Sequence, residues 1–160
     1  MERKPIEPGK IVMREFRLVK GQIDSPYEFK ISGIQHFDYN VDFETGINLE
    51  QDLIRADFKV SIKTKSEGNA IEATGGYHFV FVFHYDKLSE HAAIAASNEI
   101  DWNPYLANAI ASISYSTSRG ILLSRFQGTV MESFILPVVD PNWLMHSNTM
   151  ASTQKIALLG

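Results

Sequence analysis

An α+β fold is predicted from three observations: strict apolar/polar alternation through residues 37–43 and 54–62, a third strand-like run over 71–85, and a switch to helical spacing behind an Asn-Pro pair. The order is four antiparallel strands as a meander, then a long helix and a shorter C-terminal helix. One domain of 160 residues is long enough to bury a core. The boundaries expected are a flexible N-terminal segment over 1–12, a single domain over 13–146 and a disordered tail over 147–160.

The first strand reads as interrupted. Glu15 to Ile23 and Tyr27 to Ile34 are strand-like, but Ser25-Pro26 lies between them and proline cannot donate to a ladder. In the second strand Phe37, Tyr39, Val41 and Phe43 share one face and Asp38, Asn40 and Asp42 the other. The third places Ile54, Ala56, Phe58, Val60 and Ile62 opposite Arg55, Asp57, Lys59, Ser61 and Lys63. The fourth has Tyr77, Phe79, Phe81, Phe83 and Tyr85 on one face, with His78, Val80, Val82 and His84 behind them. A turn near Asn48 and Leu49 would pair Phe43 with Ile54 and Asp42 with Arg55. The Ser66-Glu67-Gly68-Asn69 turn would pair Phe58 with Tyr77 and Ala56 with Phe79, with a bulge expected near Gly75-Gly76.

After Tyr85 the alternation stops. The alanine-rich stretch from Leu88 to Ser97 suggests a short helix. Asn103-Pro104 is a helix start, because Asn can cap the free amides and Pro at the first position gives up a donor that has no partner anyway. Leu106, Ile110, Ile113 and Thr117 then recur at helical spacing, and Gly120 after Arg119 reads as the C-terminal cap. Asp140-Pro141 opens a second helix through Trp143, Leu144 and Met145.

Composition removes several function classes. There is no cysteine, so disulfide scaffolds, thiol catalysis and cysteine-ligated metals are excluded. Fifteen Lys and Arg against 19 Asp and Glu give a net charge of -4 with no basic block, which argues against nucleic acid as partner. Residues 1–12 hold Glu2, Pro5, Glu7 and Pro8 and no apolar h-region, so no signal peptide is expected. No apolar run approaches the ~18 residues of a membrane span, so membrane insertion is not expected and a cytoplasmic location is.

No catalytic constellation stands out. His78 and His84 are six residues apart on one strand face, too far for one metal ion at a rise of ~3.3 Å per residue. His84, Asp86 and His91 could meet around a turn as an acid/base or metal group, and this is the rival reading: a small α+β enzyme or ligand-binding domain with an aromatic pocket. Ser112, Ser114, Ser116 and Ser118 lack the Gly-x-Ser-x-Gly elbow and suit close helix packing instead. No glycine-rich phosphate loop exists, and no metal or cofactor is predicted. The conspicuous feature is the aromatic stripe. Core packing explains it, and so does a groove for unfolded polypeptide, with Phe37, Tyr39, Phe79, Phe81 and Phe83 in or beside it. Val80 and Val82, on the opposite face, call for cover by another chain.

A family resemblance follows from the order of elements and from local patterns. Asn-Pro-Tyr at 103–105, Ser118-Arg119-Gly120, and Leu136-Pro137 leading to Asp140-Pro141 after a strand meander resemble the SecB family of protein-export chaperones. The resemblance implies a cytoplasmic, ATP-independent holdase for unfolded preproteins, built as a dimer of dimers. The first strands would join two sheets and the long helices would pack between dimers, which would place Tyr105, Ala109, Ser112 and Ser116, together with Val80 and Val82, at interfaces. One departure concerns SecA. Family members that deliver cargo to it resemble one another in an acidic sheet surface and acidic tail, whereas this chain has Arg55, Lys59, Lys63 and Lys65 on its third strand and no Asp or Glu after Asn142. The sequence leaves SecA undecided as a partner, and a different client, such as an antitoxin, stays open beside preproteins.

Overall fold

The computed structural model describes residues 4–147 and 149–155. Strands β1 (Val12–Asp24), β2 (Ile34–Asn48), β3 (Leu53–Ser66) and β4 (Thr74–His84) form an antiparallel sheet, followed by α1 (Pro104–Arg125) and α2 (Pro141–Ser147). The α+β class with a long and a short helix is as expected. The strand order is not sequential. It runs β1-β4-β3-β2, so the 25–33 connection crosses from one edge of the sheet to the other. Ser25-Pro26 ends the ladder, and the chain then makes a 3-10 turn at Ile31–Gly33 before β2 begins. Gly33 is required there: a Cβ would stand 2.5 Å from the Glu67 carbonyl oxygen, while the Glu67 N–H donates to the Gly33 carbonyl at 2.9 Å.

Faces follow the sequence pattern and registers do not. Phe43 faces Phe58, not Ile54, and Asp42 faces Lys59, not Arg55. The turn lies later than expected, at residues 49–52, where the Asn48 side chain accepts from the Gln51 N–H and Asp52 takes a φ of 55°. Phe58 faces Phe79, not Tyr77, because the β3–β4 connection is widened by Glu72, which accepts from the Ser66 N–H at 3.1 Å. Both displacements are even, so every side chain keeps its face. No bulge occurs between β3 and β4 at Gly75-Gly76; two lie in β1, between Met13 and Glu15 and between Leu18 and Lys20, and the β2–β3 pairing shifts once, between Ile34 and His36.

The helix layer covers one face of the sheet. Asn103 caps α1, its side chain accepting from the Tyr105 N–H at 3.0 Å. The helix then continues through Gly120 to Arg125, because Leu122 and, just beyond the end, Phe126 bury against the core. That burial outweighs the roughly 1 kcal/mol that a mid-helix glycine costs. Phe58 meets Tyr115 edge-on at 6.0 Å and Tyr77 meets Phe126 at 5.5 Å; Phe134 closes over Phe37 and Tyr39. Between β4 and α1 the expected helix is absent. A 3-10 turn at Leu88–Glu90 and a small hairpin, β5 (Ala92–Ile94) with β6 (Ile100–Trp102), stand there. In the tail expected to be disordered, β7 (Thr149–Lys155) pairs antiparallel with β2, and residues 148 and 156–160 of that expectation lie outside the described residues. No helix among the described residues is long and apolar enough to cross a membrane.

Candidate functional site

The exposed apolar surface gathers on β1. Its residues are open along nearly the whole strand, and Val12, Met13, Phe16, Leu18 and Val19 keep between 39 and 57% of their surface. One side of β1 pairs with β4, and no described strand takes the other. Long, apolar and unpaired, this edge is a template for another chain. The two bulges set its chemistry. They bring Met13, Phe16 and Leu18 opposite Phe83, Phe81 and Phe79, on the face that the helices cover further in, and turn Glu15, Arg17 and Lys20 to the outer face. Phe16 lies 5.3 Å from Phe81 and 5.8 Å from Phe79, ring to ring, so the core continues into the exposed strip without a polar break. Sequence reasoning missed these residues because the bulges destroy period two. Five apolar side chains within eight positions were the signal available.

The side chains expected to line a groove are core instead. Phe37, Phe79, Phe81 and Phe83 are at most 1% exposed, and Tyr39 is buried too. Helix α1 and the segment after it cover the face where a groove would have opened. Val80 also needs no partner: it is buried in the single chain, in register between Arg17 of β1 and Asp57 of β3. Val82 is half-buried between Glu15 and Arg55. On α1, Tyr105 and Ser116 are exposed and Ala109 and Ser112 half-buried, so these four do share an outward face. Beside it a cleft of about 110 Å³ runs between Ser112, Ser116 and the strap Val138–Val139. The strap is held by Tyr115, whose hydroxyl donates to the Pro137 carbonyl at 2.6 Å, and by Arg119, whose Nε donates to the Leu136 carbonyl at 2.7 Å. Burial pushes the Tyr115 phenol up, which keeps it a donor.

The rival enzymatic group does not assemble. His84 stands on the outer sheet face beside Leu53 and Val12, Asp86 is exposed in the next turn, and His91 is buried against Tyr85, with Nδ1 3.2 Å from the Asn103 amide. Among the described residues no three His, Asp or Glu side chains converge to hold a metal. The closest titratable cluster is Arg55–Asp57–His78, at 2.7 and 2.8 Å. Burial alone would raise the Asp57 pKa, but hydrogen bonds from Arg55 and His78 more than offset it and hold the carboxyl below its ordinary value. This arrangement fixes the sheet surface; the depression beside it is lined by His78 but by neither Asp57 nor Arg55.

No protein-family model matches the chain, and no curated protein matches it. Among solved structures it is similar to the Mycobacterium tuberculosis SecB-like chaperone Rv1957, determined in complex with a ChAD peptide from the Rv1956 HigA1 antitoxin. The TM-score is 0.53 at 14% identity, over 82% of this chain and 91% of that one. The likeness is one of fold: a SecB-like sheet and helix layer.

Proposed function

We propose that this protein is an ATP-independent holdase that keeps non-native polypeptide from aggregating, working as an assembly of several copies. The observation that carries the reading is β1, a 13-residue edge strand with exposed apolar side chains contiguous with the core. Such a surface in a water-soluble fold needs an occupant. Two copies would join their sheets through the free backbone of β1, and the outward faces of α1, with Tyr105, Ala109, Ser112 and Ser116, would pack between pairs, giving a dimer of dimers. Met13, Phe16 and Leu18 would floor the groove along that seam. There, side chains of any sequence could bind, because apolar contact is not directional.

Client identity follows the same chemistry. Extended, apolar-rich segments fit the seam, whether from preproteins bound for export or from an antitoxin such as the one whose peptide the structural neighbour holds. Export would require hand-over to SecA, which the lysines of β3 disfavour, so an unstable intracellular client is the better match. The test is light scattering of a thermally unfolding protein mixed with stoichiometric chaperone and no nucleotide. Suppression that is lost on Phe16→Glu, with the fold retained by circular dichroism, supports the reading. Unimpeded aggregation in the presence of the wild-type chain overturns it.

A further inference from the structure

On the side of the sheet away from the helices, the second β1 bulge has a result that the holdase reading does not use. By skipping Val19 it turns Lys20 to the outer face, opposite His78, which is itself opposite Lys59 of β3. A row of three basic side chains therefore crosses β1, β4 and β3. In the next row Gln22 of β1 faces Gly76, which has no side chain, and the Lys20 ammonium lies over it, 3.4 Å from the place a Cβ would take. Ser61 and Asn40 complete that row, and together they bound a depression of about 230 Å³. Lys63 stands one row further on, where it faces Asp38 of β2.

Two ammonium groups, Lys20 and Lys59, line this depression against one carboxylate, Asp42. Glu15 is taken by Arg17, and Asp57 by Arg55 and His78. Asp42, beside Lys59, receives the Asn40 amide at 3.4 Å. Among the described residues Lys20, Lys59 and Lys63 make no ion pair. A locally positive depression on a chain of net charge -4 marks a surface that selects by charge.

We propose that the outer sheet face is a second docking surface, for an acidic segment of a partner protein. Carboxylates of that segment would meet Lys20 and Lys59, with the Ser61 hydroxyl and the Asn40 amide as hydrogen-bond donors at the floor. The occupant is a peptide and not a nucleic acid, because Asp42 and Asp57 stand among the lysines and would repel a continuous phosphate backbone, whereas a peptide can space its acids to avoid them. This surface lies on the face opposite Met13, Phe16 and Leu18, so an acidic partner and an apolar client could be held together.

The experiment is fluorescence anisotropy with a short labelled peptide of alternating glutamate and serine. Its glutamine counterpart and a single-stranded oligonucleotide of equal charge serve as competitors. Binding of the acidic peptide is expected to weaken with added salt and to fall about tenfold in Lys20→Glu/Lys59→Glu, since each reversal both removes an attraction and adds a repulsion. Met13→Ser/Phe16→Ser should leave it unchanged, which separates this surface from the client strip. Failure of the acidic peptide to bind, equal binding to the double lysine variant, or tighter binding of the oligonucleotide would overturn the proposal. None of these results bears on aggregation suppression.

Discussion

The two edges of the sheet receive opposite treatment. At the β2 edge the chain covers itself: β7 pairs with residues 36–42, and the Gln154 side chain clamps the Ile135 peptide, accepting from its N–H at 2.9 Å and donating to its carbonyl. At the β1 edge nothing described is laid against 13 residues of strand, where exposed Val12, Met13, Phe16, Leu18 and Val19 stand among Arg14, Glu15, Arg17 and Lys20. Proteins ordinarily blunt such edges with charge, proline or brevity. One edge of the sheet thus ends in a seven-residue polar strand, β7, and the other in a 13-residue strand with exposed apolar side chains.

Substitutions can break this contrast, and the largest effects are expected behind the edges. Phe79→Ala should cost about 3–5 kcal/mol in denaturant unfolding, since its ring is fully buried and stacks on Phe58. A fully stable Phe79→Ala that has lost client binding would instead make Phe79 a groove residue. Phe16→Glu at the open edge should cost only about 1 kcal/mol of stability, because the ring is 41% exposed, yet abolish aggregation suppression. Gln154→Ala at the closed edge should cost a similar ~1 kcal/mol and, by loosening β7, increase concentration-dependent self-association seen by light scattering. The smallest effect is on the outer face. The Asp57 carboxyl titrates below its unfolded value, so its contribution is complete above the ordinary carboxylate range and disappears as pH falls through the folded value, below about pH 4. Asp57→Asn should flatten the stability–pH curve in that acid window and lower stability by a constant amount from there to neutrality.

The same contrast explains what could be read from the sequence. Strands β2, β3 and β4 alternate cleanly because each is flanked on both sides and buried on one face, so period two reports directly which side chains are core. Their registers were displaced by even numbers because the alternation fixes parity only, while the turn conformations at Asp52 and around Glu72 fix the pairing. For β1 the pattern fails: two bulges turn Met13, Phe16 and Leu18 to one face at spacings that no single period generates. The bulges that shape this edge also remove its periodicity, whereas the regular aromatic stripe of β4 is core. The end of α1 was misjudged for a related reason, since Gly120 is a stop signal only where no buried residue follows, and Leu122 and Phe126 do follow. β7 has no apolar periodicity and is held by a side-chain clamp that only three-dimensional proximity discloses.

The most direct test of the open edge is the solution mass of the wild-type protein compared with that of Phe16→Glu, measured by light scattering on a size-exclusion column. A mass that is a multiple of the single chain for the wild type, falling when β1 is charged, is the expected result. A wild-type protein that is monomeric at every concentration, or an assembly that Phe16→Glu leaves intact, would contradict the view that β1 is kept open for other chains.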